Sequence, residues 1–160
     1  MASVTATITD SSILSEVAKI ASFEGRFTKE QDGSPKYDAV RITTQDGALL
    51  ESFLAAAKHN IVASYAGVAA LNSGNIVITP PSDNALSGVN DSITREVTEY
   101  LVNYCCRCWF ELRIPSLMEE YQSRAALNIL NLNNLVYTRK APTKGTGENT
   151  IGFVNLHQTL

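Results

Sequence analysis

Long apolar runs are missing from this 160-residue chain. Its most apolar window, residues 54–71, is interrupted by Lys58, His59, Asn60 and Ser64, which excludes a membrane-spanning helix there. The opening MASVTATITDSS has neither a basic stretch nor an apolar one, so no secretory leader is expected. Basic excess is missing too. The formal net charge is -3, so any nucleic-acid contact would need a local patch rather than the field of the whole molecule. Histidines are only two, His59 and His157, far apart in sequence. The three cysteines are Cys105, Cys106 and Cys108, all within about one helical turn. Neighbouring helical positions point in different directions, so these thiols cannot bridge one another. A closed structural metal site needs four ligands, and no further ones lie nearby in sequence. The thiols read as small apolar packing groups in a reducing compartment, dispensable for function, with Cys105 and Cys108 on one apolar face.

Catalytic signatures are equally scarce. The chain carries no nucleophile elbow, no Gly-rich phosphate loop with a strand before it and a helix after it, and no metal-ligand spacing. Gly145-Thr146-Gly147 lacks that context. Glu96/Glu99 and Glu119-Glu120 read as solvated helix faces rather than acid–base pairs, and His59 has no visible partner. Tyr100, Tyr104, Trp109 and Tyr121 recur at helical spacing, which favours a core over base stacking. No catalytic residue, cofactor or metal is expected.

What is present is a folded composition: 44% hydrophobic and 18% charged residues, enough for one domain with a modest core. Four helices are predicted. The first spans about residues 11–22, capped by Asp10 or Ser11, with Ile13, Leu14, Val17, Ile20 and Ala21 as its stripe and Gly25 as its stop. The polar stretch 26–38 follows. Its Asp32-Gly33 turn and Pro35 suit either a short hairpin, with Phe27 opposite Tyr37, or a mobile surface loop. The second helix starts with Thr44 as cap and ends near Gly67. Residues 71–90 read as irregular, although Ile76-Val77-Ile78-Thr79 favours an extended segment, alone or paired with a neighbouring chain. The third helix starts at Asp91 or Ser92 and stops at Pro115. Thr94, Arg95, Glu96, Glu99, Asn103 and Arg107 occupy its wet side, and Trp109, Leu101 and Phe53 meet in the core. The fourth starts at Ser116, with Glu119 completing a capping box, and runs to Val136. Its apolar face, widened by Leu117, Leu127, Leu130 and Leu135, needs cover on a second side. Either a central position in a monomeric bundle or another subunit would provide it.

After Tyr137 the helical period is lost. Arg139, Lys140 and Lys144 make a basic start, and Ile151, Phe153, Val154 and Leu156 make an apolar end. The expected division is a helical domain over residues 1–137 and an extended docking arm over 138–160. The arm would order on a partner, in a groove or at a sheet edge.

Three stretches, ILSEVAKIASFEGRF (13–27), YDAVRITTQDGALLESFLAAAKHNI (37–61) and SITREVTEYLVNYCCRCWFEL (92–112), together with the following helix and RKAPTK, resemble the head–tail connectors, or adaptors, of tailed bacteriophages. The resemblance covers most of residues 13–144 and rests on helix patterns rather than on a chemical signature. It implies a mainly α, four-helix bundle-like connector domain with a projecting loop or hairpin and an extended C-terminal arm. It implies a structural virion protein, not an enzyme, made in the host cytoplasm and built into the neck as a ring of neighbouring copies, dodecameric in that family. The implied partners are the portal, through Arg139, Lys140, Lys144, Ile151, Phe153, Val154 and Leu156, and a tail or stopper protein. Channel DNA, read without sequence specificity, could meet the projecting loop at Arg26, Lys29 and Lys36. No membrane is involved. Alternatives are a tail-completion or terminator protein and a non-catalytic helical binding protein.

Overall fold

A computed structural model describes residues 4–29, 33–80 and 89–137. The fold is mainly helical, with a small three-stranded sheet. Strand β1 (Val4–Ala6) leads into α1 (Asp10–Phe27), a short α2 (Tyr37–Val40) and α3 (Gly47–Ser64). Strands β2 (Ala69–Asn72) and β3 (Asn75–Ile78) precede the two longest helices, α4 (Asn90–Arg113) and α5 (Pro115–Tyr137).

Helix α4 is the centre. Helices α1, α3 and α5 and strand β1 all pack on it. Its buried residues fall on more than one face: Ile93, Val97 and Leu101, then Cys105, Trp109 and Phe110. Phe110 meets Tyr121 of α5 with ring centroids 4.9 Å apart. Trp109 is fully buried and donates from Nε1 to the Val40 carbonyl oxygen at 2.8 Å, which ties α2 to α4. Leu101 is fully buried as expected, whereas Phe53 is only partly buried, at the core's margin.

Several boundaries differ from the sequence reading, each for a physical reason. Helix α1 does not stop at Gly25, which is buried within it. A Cβ there would lie 3.1 Å from the Tyr37 Cα and 3.3 Å from the Val40 Cβ. The missing side chain therefore admits α2 rather than ending α1. Phe27 ends α1 and Tyr37 opens α2, so they do not pair as strands. The strand-like contact shrinks to one bridge between Lys29 and Pro35, with the Lys36 amide donating to the Thr28 carbonyl at 2.9 Å. Helix α3 is entered through a single 3₁₀ turn, Thr44–Asp46, which Thr43 caps, and Asp46 rather than Thr44 stands at the N-cap of α3 itself. The Asp46 carboxylate accepts from the Thr43 amide (2.8 Å) and hydroxyl (2.7 Å), bonds that hold its pKa below the usual value. Helix α4 starts at Asn90, a residue or two early. Pro115 opens α5 as its first residue, where its missing N–H costs nothing.

The segment expected to be irregular is in part a hairpin. Strands β2 and β3 pair antiparallel around Ser73 and Gly74, both at positive φ (49° and 82°), as a two-residue hairpin turn requires. Strand β1 pairs on the other side of β3, Ala6 opposite Ile76, which gives the order β1-β3-β2. The run Ile76-Val77-Ile78 thus finds its partners within its own chain. Ala6, Ile76 and Ile78 are fully buried. One polar contact fastens the hairpin to the chain before α1, and a second joins α3 to α1 beside it. Asn75 Oδ1 accepts from the Ile8 amide at 2.9 Å, and the buried Lys58 ammonium meets Asp10 Oδ1 at 2.7 Å, beside Gly74.

Candidate interaction surfaces

Three features stand apart from simple core packing. The first is a polar seam between α4 and α5. Glu96, expected on the wet side, is 5% exposed. The Asn128 amide donates to its Oε2 at 2.9 Å and the Asn131 amide donates to the same oxygen at 3.3 Å. Arg95 Nη2 donates to Oε1 at 3.2 Å. Asn128 is itself buried. It donates to Glu99 (3.2 Å) and accepts from the Asn103 amide (2.9 Å). Burial alone would push the Glu96 pKa up, but the bonds from Asn128, Asn131 and Arg95 outweigh it and hold the carboxyl below its usual range. Hydropathy periodicity missed this seam, because buried Glu and Asn score like solvated ones. The one available signal was two polar sets, Glu96/Glu99/Asn103 and Asn128/Asn131, on helices that must run antiparallel.

The second is an open groove. Helices α1 and α5 flank α4 and touch across it where Tyr121 Oη donates to Glu24 Oε1 at 2.9 Å. Beside that link lies a cavity of about 460 Å³, walled by Glu16 and Ile20 of α1, Thr98 and Val102 of α4, and Arg124 and Leu127 of α5. Leu127 is 56% exposed. The Glu16 and Glu99 side chains at its edge are both about half exposed. Arg124 pairs with Glu120 on its own helix.

The third is an aromatic ridge at the end of α1. Phe23 and Phe27 are 59% and 68% exposed, and their rings lie 4.7 Å apart. Basic side chains border them: Lys19, exposed and paired with Glu16 at 3.1 Å, and Arg26, whose guanidinium lies 5.7 Å from the Tyr37 ring centroid.

Of the residues expected to bind partners, Arg26 sits in the last turn of α1. Lys29 and Lys36 form the neck of the stretch beyond it. The structure therefore brings these three together at one end of α1. Arg139, Lys140, Lys144, Ile151, Phe153, Val154 and Leu156 lie outside the described residues, as does the arm they define. The thiols divide otherwise than periodicity suggested: Cys105 and Cys106 are buried and Cys108 is intermediate. Burial pushes Cys105 up to about 12 and Cys106 higher still, which leaves both as protonated packing groups. Among the described residues no group of three or more His, Cys, Asp or Glu side chains is placed to hold a metal ion. No helix among them is long and apolar enough to cross a membrane.

Comparison with family models, with curated proteins and with solved structures gave no match.

Proposed function

We propose that this chain is a structural adaptor of a tailed-bacteriophage neck, a ring subunit that joins the portal to the tail or to the next neck ring. The observation that carries the reading is apolar surface left uncovered on an otherwise well-packed helical body. Phe23, Phe27, Leu127 and Leu130 are all more than half exposed. A lone exposed leucine needs no explanation, but paired aromatics and a groove beside them favour a surface that other chains cover. The resemblance of most of residues 13–144 to head–tail connectors suggests the kind of assembly. On this reading the body is a four-helix bundle-like connector domain, and the stretch around Arg26, Lys29 and Lys36 projects toward the channel or the next ring. The reading assigns no catalytic residue.

Residues 138–160 act as the attachment arm. Arg139, Lys140 and Lys144 meet acidic portal surface, and Ile151, Phe153, Val154 and Leu156 enter a groove or sheet edge. Ordering such an arm costs roughly 1–2 kcal/mol per residue in backbone entropy. A ring of arms binding together offsets that cost through effective concentration. The test is a chain ended after Lys140, assayed for incorporation into particles and for co-migration with isolated portal rings. The expected result is a helical protein that no longer joins the head. Normal incorporation would remove the arm as the attachment device. A full-length chain that ignores the portal altogether would favour a helical binding protein of another kind.

A further inference from the structure

We infer that the groove between α1 and α5 receives the aromatic ridge of a second copy of this chain, in a head-to-tail contact. The inference rests on the ring reading above, and it names the surfaces that would make the ring. Two observations carry it. The groove is apolar at Ile20, Val102 and Leu127 and carries two carboxylates, Glu16 and Glu99, against one cation, Arg124, which Glu120 already pairs. The ridge is apolar at Phe23 and Phe27 and basic at its border, through Lys19 and Arg26. The two surfaces are thus opposite in charge and alike in apolar character, as partners across an interface should be.

Size agrees. A cavity of about 150 Å³ holds benzene, and the groove, at about 460 Å³, has room for the two tilted rings. The ridge is also preorganised. Phe23 and Phe27 already pack against one another in the free chain, their rings tilted at 49° with centroids 4.7 Å apart, which limits the side-chain freedom lost on docking. The Lys19–Glu16 pair links the two faces within one molecule, but both side chains are more than half exposed. Exchanging it for a pair between molecules therefore costs little. A single such contact leaves one ridge and one groove open, so its repetition closes a ring or extends a filament, whereas a two-fold pair would make both contacts at once.

The experiment is sedimentation velocity on the full chain, monomer mass 17.4 kDa, at high-micromolar concentration. The intact chain should sediment above monomer mass. Phe23→Glu spoils the ridge and Leu127→Glu spoils the groove, and each alone should return the chain to monomer. Mixed one to one, they should form a dimer and nothing larger, since each supplies the half that the other lacks. Both sites are exposed, so helical circular dichroism should be unchanged. As a gentler pair, Arg26→Glu and Glu16→Lys should each weaken association, and the double variant should recover it. An intact chain that stays monomeric overturns the proposal, and so do variants that associate normally or a mixture that does not. If Phe153→Glu abolishes association while Phe23→Glu does not, the groove takes the C-terminal arm and the proposal fails. None of these outcomes involves the portal, so the adaptor reading stands or falls separately, on particle incorporation.

Discussion

At one end of the α4–α5 contact, Phe110 packs on Tyr121 and Trp109 lies fully buried beside them, bonded to the Val40 carbonyl. At the other end the same two helices meet through Glu96, Glu99, Asn103, Asn128 and Asn131. The aromatic end draws its stabilisation chiefly from surface removed from water, a term without direction, whereas the polar end depends on the alignment of donors with acceptors. A slip of one residue would part Asn128 from both carboxylates and leave buried groups without partners. The comparison teaches a division of labour: apolar packing holds the pair together, and the seam sets its register.

The largest effect expected from breaking this comparison is at the aromatic end. Trp109→Ala should cost about 3–5 kcal/mol, read from the midpoint of chemical denaturation. An unchanged midpoint would dissolve the proposed centre. At the seam, Glu96→Ala leaves the Asn128 and Asn131 amides without their shared acceptor, at a cost of about 1–3 kcal/mol. The sharper measurement is a cycle with Asn128. Replacing Glu96 and Asn128 together by leucine should cost clearly less than the sum of the single replacements, because neither of these two buried residues is then left without the other. Simple additivity would mean that the seam is not a unit.

The seam should also be the end that responds to acid. Glu96 is held below its ordinary value of 4.5 in the fold, so the unfolded chain takes up its proton first as pH falls. Its contribution is therefore complete above that ordinary value and is lost as pH drops through the folded one. The stability difference between the native chain and Glu96→Gln should shrink over that acid window and hold steady from pH 6 to 8. A difference independent of pH down to strong acid would assign the effect to shape rather than charge. The smallest effect concerns the thiols on α4. A thiol reagent at pH 8 should label Cys108 first, and Cys105 and Cys106 only as the chain unfolds, because burial pushes those two thiols far up. Equal labelling rates would place the helix in another rotation.

Much of the helical layout was legible beforehand. Ile13, Val17 and Ala21 of α1, Leu50, Leu54 and Ile61 of α3, and Leu101 and Trp109 of α4 all lie on the periodic apolar faces that burial confirms. The failures cluster where local signals carry two meanings. Gly25 reads as a stop, but it is a gap that admits α2. Pro115 ends one helix and begins the next. Ser73-Gly74 reads as part of an irregular stretch, although its positive φ angles make it the hairpin turn that joins β2 to β3, with β1 on the far side of β3. Of the interaction surfaces, Leu127 and Leu130 were visible as an excess of apolar area on the last helix. The ridge of Phe23 and Phe27 was not, since the first helix was expected to end before them.

The sequence by itself determined the four long helices of the described residues and most of the apolar stripe of each, because those depend on spacing along one element. It also determined that the three thiols could not bridge one another, a matter of geometry within a single turn. Only the tertiary structure decided that Glu96 is buried, that β1 joins a sheet with residues 69–78, and that α1 and α5 leave a groove over α4. Those outcomes depend on which surfaces of distant segments meet, and no pattern along one element encodes the face that a neighbour will cover.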